Sequence, residues 1–170
     1  MNYRYISASS LQKLKESKYS SLYNRLEILS LALRLNILYS IQKAGSGHLG
    51  SSLSALDIFL CCSEYLRVKK GNFFSSKGHD VPALYNVMSL YNKMDFNKIH
   101  SLRRIEGLPG HPDVNTKNIL FNTGSLGMGI SKINGLCHAN TFEKNKEKNI
   151  EIVGDGELQE GQNWEALMYL

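Results

Sequence analysis

Three of the five histidines in this 170-residue chain directly follow a glycine, and each pair falls in a predicted turn. A glycine leaves the neighbouring backbone uncluttered, so the imidazole can project into a cleft. Imidazole suits proton transfer and hydrogen bonding to hydroxyls or phosphates near neutral pH. We therefore predict a catalytic or binding role for these residues, which are His48, His79 and His111.

A zinc site is the alternative role for the three histidines, because imidazole is also a common zinc ligand. The spacings between them are 31 and 32 residues, and neither contains the closely spaced pair that many zinc sites use. Bound zinc would support a metal hydrolase built on these residues.

A second candidate site is the Gly154-Asp155-Gly156 turn, which follows a predicted strand at 150–153. Ligands of open α/β sheets bind at the carboxyl ends of the strands. An aspartate between two glycines there exposes its carboxylate and lets a ligand approach the backbone, and a carboxylate beside a phosphate group usually holds Mg²⁺. The alternative is a simple strand-to-helix turn in which Asp155 caps the helix.

Two further segments have open interpretations. The glycine-rich segment 124–129 can contact a ligand or can serve close helix packing. The acidic residues at 157–165 would repel one another unless a cation or a partner balances them. Alternatively, they cap a helix that begins near residue 158.

The elements that position these residues alternate between helices and short apolar strands, which predicts an α/β fold with a parallel sheet. We expect one or two helices over 10–44 ended by Gly45, and a helix over 52–66 with Ser51 or Ser52 as its N-cap. Strands are predicted at 73–76 and 150–153, and further helices at 82–92, 95–105, 127–139 and 158–170. Residues 106–125 are predicted to be a long loop.

Charge and glycine divide the chain at residue 44. The first 44 residues hold seven Lys/Arg against two Asp/Glu, whereas all 14 glycines lie at or after Gly45. We therefore predict a helical lead at 1–44 and a ligand-binding domain at 45–170.

Composition excludes several classes of protein. The chain lacks an apolar run of the ~18 residues that a membrane span needs, and it lacks the basic cluster with aromatics expected for nucleic-acid binding. The residues at the start lack the apolar core of a signal peptide, so we expect a cytoplasmic protein. The three cysteines lack the Cys-x-x-Cys spacing of redox or metal sites, so we predict that they are buried thiols in a reducing compartment.

Together these segments resemble the N-terminal part of the transketolase family, in particular the form whose two halves are separate chains. The resemblance runs from about residue 25 to the end. It rests on AGSGHLG at 44–50, SKGH at 76–79, PALY at 82–85, GLPGHPD at 107–113, TGSLGMGIS at 123–131 and GDGELQEG at 154–161.

The resemblance implies the front part of a thiamine diphosphate-binding domain, with a parallel sheet flanked by helices. Asp155 would hold Mg²⁺ and Gly156 would contact the cofactor diphosphate, while Gly124, Ser125 and Leu126 would lie at its aminopyrimidine ring. His48, His79 and His111 would line the substrate channel and assist proton transfer, and His79 is also expected to bind the cofactor. Glu160 would link paired active sites at a dimer interface.

The implied reaction is the transfer of a two-carbon ketol unit between sugar phosphates, a step of carbohydrate metabolism. The family also needs a pyrimidine-binding half and an asparagine metal ligand beyond the 15 residues that follow Asp155. We therefore expect this chain to work as part of a larger homo- or hetero-oligomer and to be inactive alone. The alternatives are another thiamine diphosphate enzyme, such as a 1-deoxyxylulose-5-phosphate synthase, and a non-catalytic fragment.

Overall fold

The computed structural model describes residues 4–18 and 21–169 and shows a helix-rich α/β fold. The helices are α1 (Ala8–Glu16), α2 (Leu22–Ala44), α3 (Leu49–Lys69), α4 (Val81–Leu90), α5 (Gly129–Phe142) and α6 (Gly161–Leu167). The strands are β1 (Gly71–Ser75) and β2 (Lys148–Ile152), and 3₁₀ turns span Phe96–Ser101 and Glu157–Gln159. None of the described helices is both long and apolar enough to cross a membrane.

The chain forms two compact units. The first comprises Met1–Cys61 and His79–Gly110, and the second comprises Cys62–Gly78 and His111–Leu170. Each unit therefore combines two separate stretches of the chain, whereas the sequence indicates a single boundary at residue 44. The assignment of 1–44 as a lead and 45–170 as a binding domain stays a prediction.

The core of the first unit is built on α4, all of whose residues are buried. Apolar side chains of α2 and α3 are also fully buried, among them Leu33, Ile37 and Phe59. The backbone of Ile6 is held by the buried Asn36 side chain, which accepts from Ile6 N–H at 2.7 Å and donates to Ile6 O at 3.0 Å. This paired bond fixes the extended segment before α1 against α2.

The sequence predicts the end of α2 correctly but not the start of α3. Gly45 adopts the left-handed conformation (φ 74°) and its N–H bonds back to Ile41 O, so it ends α2 as predicted. The prediction of Ser51 or Ser52 as the N-cap of the next helix is wrong. Both serines lie inside α3, because Ser52 N–H and Oγ both bond to His48 O and the helix begins at Leu49.

The second unit contains the sheet, in which β1 and β2 pair in parallel with Ser75 opposite Ile152. Both strands lie where the sequence predicts them, although each begins two residues earlier. Helix α5 packs against β2 and α6 packs against α5. Parallel pairing brings the carboxyl ends of the two strands to one edge, where the segments after Ser75 and Ile152 emerge.

Two other sequence predictions need correction. The expected helix over 95–105 is a single 3₁₀ segment, Phe96–Ser101. The expectation of buried thiols is also wrong, because Cys61 and Cys137 are exposed and Cys62 is half-buried. The predicted loop at 106–125 is confirmed, since it contains no helix or strand.

A substitution at Gly71 tests how closely β1 and β2 approach each other. It has φ 143°, and a Cβ added there would lie 2.0 Å from Lys148 O on the paired strand. We predict that Gly71→Ala lowers the free energy of unfolding by more than about 2 kcal/mol, because backbone strain and a main-chain clash add. Urea unfolding measures the change.

The matched control is Gly135→Ala in α5, where a Cβ would meet nothing within 4 Å. We expect it to raise stability by about 0.5–1 kcal/mol, because alanine favours the helix. Equal effects of the two substitutions would contradict the close approach of β1 and β2 at Gly71.

Candidate functional site

The candidate site lies in the second unit, at the carboxyl ends of β1 and β2. Ser76 directly follows β1, and its N–H donates to Ile152 O at 3.0 Å, which extends the parallel pairing beyond the strand. The chain after β2 forms the predicted turn at 154–156. The edge at which ligands of parallel sheets bind is therefore occupied by the segment that sequence analysis singled out.

One buried carboxylate, that of Glu157, connects three segments at this edge. Its Oε1 accepts from Ser76 Oγ at 2.5 Å and from Gly127 N–H at 2.9 Å, and its Oε2 accepts from Gly154 N–H at 3.0 Å. Glu157 is only 2% exposed. A buried charge of this kind is tolerated when donors surround it, and the three donors here also join the glycine-rich segment 124–129 to the 154–156 turn.

The backbone around Glu157 is also held in place. Asn163 of α6, itself fully buried, donates from Nδ2 to Glu157 O at 2.5 Å. Leu158 N–H donates to Gly154 O at 3.1 Å, which closes the turn. These bonds keep the segment 154–163 in one conformation, so the exposed groups of the turn are held in a fixed arrangement.

Glu151 of β2 is a second acidic residue near this carboxylate. Burial and, to a lesser extent, the charge of Glu157 raise the pKa of Glu151 to about 7, against the smaller opposing effects of the Ser76 hydrogen bond and Lys132. A Cβ on Gly129 would lie 1.8 Å from Glu151 Oε1, so only glycine leaves room for this side chain. The site therefore holds a carboxyl group that changes charge near neutral pH.

Asp155 and Gly156 are both exposed at the tip of the turn, and a Cβ added to Gly156 would meet nothing within 4 Å. This open space lets a ligand approach the main chain beside the Asp155 carboxylate. Among the described residues no cluster of three or more His, Cys, Asp or Glu could hold a metal alone. Mg²⁺ does not need one, because it commonly binds one or two carboxylates together with water and substrate phosphates.

The predicted ring-binding segment lies in the same unit. Gly124 has φ 119°, and a Cβ there would lie 2.7 Å from Cδ2 of His111, so the backbone passes close to that imidazole. Ser125 and Leu126 are both exposed, and Leu126 presents a large apolar side chain at the surface. Gly127 (φ 85°) leaves space for Glu160, whose Cβ would lie 2.8 Å from an added Cβ.

The structure brings only two of the three glycine-linked histidines together within one unit. The rings of His48 and His79 have centroids 5.4 Å apart in the first unit. His111 belongs to the second unit, beside Gly124. No three-histidine metal cluster exists among residues 4–18 and 21–169, so this part of the chain gives no support to the zinc hydrolase.

Sequence reasoning missed the roles of three residues, namely Glu157, Ser76 and Glu151. Glu157 was one of several acidic residues near a helix start, and nothing local distinguishes it from the exposed Glu160. Its donors lie 30 and 81 residues away in the chain, at Gly127 and Ser76. A weak signal existed at Glu151, because a charged residue interrupts the apolar strand 150–153.

Comparison with known proteins gives consistent matches. The sequence model of the 1-deoxy-D-xylulose-5-phosphate synthase family, for its N-terminal part, matches residues 7–170. One subunit of the apulose-4-phosphate transketolase of Phocaeicola vulgatus is 33% identical over 153 residues, which cover 84% of this chain and 54% of that protein. Human transketolase is 33% identical over 148 residues, which cover 81% of this chain and 24% of that protein.

A solved structure confirms the fold. Transketolase from Leishmania mexicana superposes with a TM-score of 0.71 at 23% identity, over 85% of this chain and 25% of that one. The chain thus spans about half the length of the Phocaeicola vulgatus relative and about a quarter of the longer transketolases.

The Glu157 contacts can be tested by removing the charge alone. Glu157→Gln replaces one acceptor oxygen with an NH₂ group that faces N–H or O–H donors. We predict a loss of about 2–3 kcal/mol in the free energy of unfolding, because buried donors lose their acceptor. The exposed Glu165→Gln in α6 should change it by less than about 0.5 kcal/mol, and equal effects would contradict the buried contacts.

The raised pKa of Glu151 predicts a pH dependence. The folded state binds more protons than the unfolded chain between about pH 4.5 and pH 7, so stability falls as the pH rises through that window. Glu151→Gln should remove this loss, which we put at about 1–3 kcal/mol after solvent screening. Urea unfolding at about pH 5 and pH 8 measures it.

The control for this pH dependence is Glu147→Gln, which changes an exposed carboxylate before β2. It should leave the pH dependence as it is in the unaltered protein. A Glu151→Gln variant with the unaltered pH dependence would show that the carboxyl ionises at its ordinary pKa.

Proposed function

The chain belongs to the family of 1-deoxy-D-xylulose-5-phosphate synthases and transketolases, and on this premise we propose that it is the front part of the diphosphate-binding domain of a transketolase-like enzyme. The family is of the thiamine diphosphate-dependent type. The proposed activity is the Mg²⁺-dependent transfer of a two-carbon ketol unit between sugar phosphates. Such an enzyme is a transferase of carbohydrate metabolism, and we place it in the cytoplasm.

The observation that supports this proposal most is the Glu157 contact set. Through Gly127 and Gly154 it joins the two segments expected at the two ends of the cofactor, the aminopyrimidine end and the diphosphate end. A simple strand-to-helix turn would not require a buried charge that reaches a separate glycine-rich segment. The arrangement suits a ligand long enough to contact both.

The residues of this chain have distinct roles in the proposed enzyme. Asp155 holds Mg²⁺ and the Gly156 N–H contacts the diphosphate, because both are exposed at the fixed turn. Gly124, Ser125 and Leu126 lie at the aminopyrimidine ring. Thiamine diphosphate, when bound, supplies the carbanion chemistry, and the protein supplies binding, orientation and proton movement.

The histidines and Glu160 complete the assignment. His48 and His79, with neighbouring rings, suit hydrogen bonding to sugar hydroxyls and phosphate and the movement of protons, and His79 also binds the cofactor. His111 has the same role beside the ring-binding segment. Glu160 is exposed, as a residue that links active sites across a dimer interface must be in an isolated chain.

A partner half is part of the proposal. The Phocaeicola vulgatus relative is named as one subunit of its transketolase, and this chain matches 54% of that protein. We propose that the chain works with a pyrimidine-binding half, in a homo- or hetero-oligomer, and that it is inactive alone. Ketol transfer from xylulose 5-phosphate to ribose 5-phosphate by the isolated chain would contradict this.

A 1-deoxy-D-xylulose-5-phosphate synthase is the second candidate, because the matching family model carries that description. Product analysis with the complete enzyme separates the two activities. Transfer from a ketose phosphate donor supports the transketolase-like reaction. Condensation that consumes pyruvate and releases CO₂ supports the alternative, and neither activity would indicate a non-catalytic member.

The metal-binding role of Asp155 is tested by calorimetry with Mg²⁺ and thiamine diphosphate on the complete enzyme. Asp155→Asn keeps the size of the side chain but removes its charge, so we predict that cofactor affinity falls by about 10- to 100-fold. Glu165→Gln, also exposed and nearby in the chain, should bind like the unaltered protein. Equal affinity in the Asp155→Asn variant would refute the assignment.

A further inference from the structure

Glu151 is an acidic residue at a strand position where the surrounding pattern favours an apolar one. It interrupts the apolar run 150–153, and no role in the proposed function is assigned to it. Its Oε1 is buried and has no hydrogen-bond partner among the described residues. A buried carboxylate oxygen without a donor is costly, whereas a neutral carboxyl group can donate its own O–H to a neighbouring acceptor. The surroundings of Glu151 therefore favour the protonated form.

Ser76 provides the neighbouring acceptor. A Cβ added to Gly129 would clash with both Ser76 Oγ and Glu151 Oε1, so the two oxygens lie together on the same side of this glycine. Ser76 Oγ donates its single proton to Glu157 Oε1 at 2.5 Å. A hydroxyl oxygen that donates once can still accept a hydrogen bond. A protonated Glu151 can therefore donate to Ser76, which in turn donates to the buried carboxylate of Glu157.

Ionisation of Glu151 breaks this chain of hydrogen bonds. Burial first and the charge of Glu157 second raise the pKa of Glu151 to about 7, so the ionisation falls near neutral pH. The Ser76 hydroxyl then lies between two carboxylates that repel each other, and it can donate to only one of them. A weaker hold on Glu157 also affects Gly127, whose N–H donates to the same Oε1 at 2.9 Å, and with it the glycine-rich segment 124–129.

The charged groups around Glu151 determine how its ionisation acts on a ligand. The paired strand β1 contains no ionisable side chain. Helix α5, which packs on β2, contributes Lys132, whose charge favours the ionised form but is outweighed by burial and Glu157. The segment after β2 contributes Glu157 and the exposed Asp155. Ionised Glu151 therefore adds negative charge beside the turn that is proposed to hold a diphosphate, which also disfavours binding.

We propose that Glu151 is a positioning residue of the cofactor site, which in its neutral form supports, through Ser76, the hold of Glu157 on the glycine-rich segment, and whose ionisation weakens cofactor binding. This inference rests on the proposed function, because it concerns the affinity of the same site. Glu151 acts through its neighbours and not by touching the cofactor. The competing role is purely structural, in which the side chain only fills the space beside Gly129.

Glu151→Gln separates charge from packing, because glutamine has nearly the same size and stays neutral at every pH. Calorimetry on the complete enzyme, with thiamine diphosphate at saturating Mg²⁺, gives the affinity at about pH 6 and about pH 8. The phosphate of the cofactor titrates in the same range, but it does so equally for both proteins. We expect the ratio of the affinity at about pH 6 to that at about pH 8 to be about 3- to 10-fold larger for the unaltered protein, because a single proton changes affinity by at most about tenfold per pH unit.

Glu147→Gln is the matched control, because it neutralises an exposed carboxylate just before β2. It should keep the affinity ratio of the unaltered protein. Glu151→Val, which is also neutral and suits a strand, should show the reduced ratio and serves as the test if the glutamine variant does not fold.

The outcomes distinguish this inference from the function on which it rests. Equal ratios in the unaltered protein and the neutral variants would overturn the proposal. A Glu151→Gln variant whose affinity falls by the same factor at both pH values would overturn it in favour of packing. An unaltered protein that binds no cofactor at either pH would instead overturn the proposed function.

Discussion

The contacts of the Glu157 carboxylate are the interaction on which the arrangement of the second unit depends. A charge that is 2% exposed is stable only if donors replace the water it has lost, and those donors come from the end of β1, the glycine-rich segment and the 154–156 turn. Two of the three donors are backbone N–H groups, which have no rotamer freedom to lose. The same bonds that satisfy the charge therefore fix the position of both proposed cofactor-binding segments.

Preorganisation is the functional consequence of these contacts. A ligand that reaches from the turn to the glycine-rich segment does not have to order either of them, so less of its binding free energy is lost to ordering. The glycines serve this arrangement in specific ways. Gly129 leaves space for Glu151, and Gly154 leaves space for the stem of Lys77. Exposed Asp155 and Gly156 then provide the groups that a metal-bound diphosphate needs.

Local features were predictable from the sequence, and long-range contacts were not. The end of α2 at Gly45, the two strands and the 154–156 turn follow from local backbone preferences and apolar patterning. The start of α3 was misplaced because His48 O serves as the first acceptor, a role any residue can fill. The exposure of Cys61 and Cys137 depends on which helix faces are covered, which composition does not specify.

The candidate site shows the same limit. Motifs at 124–129 and 154–161 identified the family, which the comparisons confirm, yet the carboxylate that joins them was not distinguished from its neighbours. Two of its partners, Ser76 and Gly154, follow β1 and β2 and come together when these strands pair. The grouping of the three histidines rests on the sequence pattern and stays a prediction, since the structure places His48 and His79 in one unit and His111 in the other.

The most direct test of the proposed metal and cofactor site is a crystal structure of the complete enzyme with thiamine diphosphate and Mn²⁺ in place of Mg²⁺, with the metal located by its anomalous scattering. We predict one metal peak at the Asp155 carboxylate, with the cofactor diphosphate on the turn at 154–156. A peak on His48 and His79 instead, or a diphosphate bound away from that turn, would contradict this assignment.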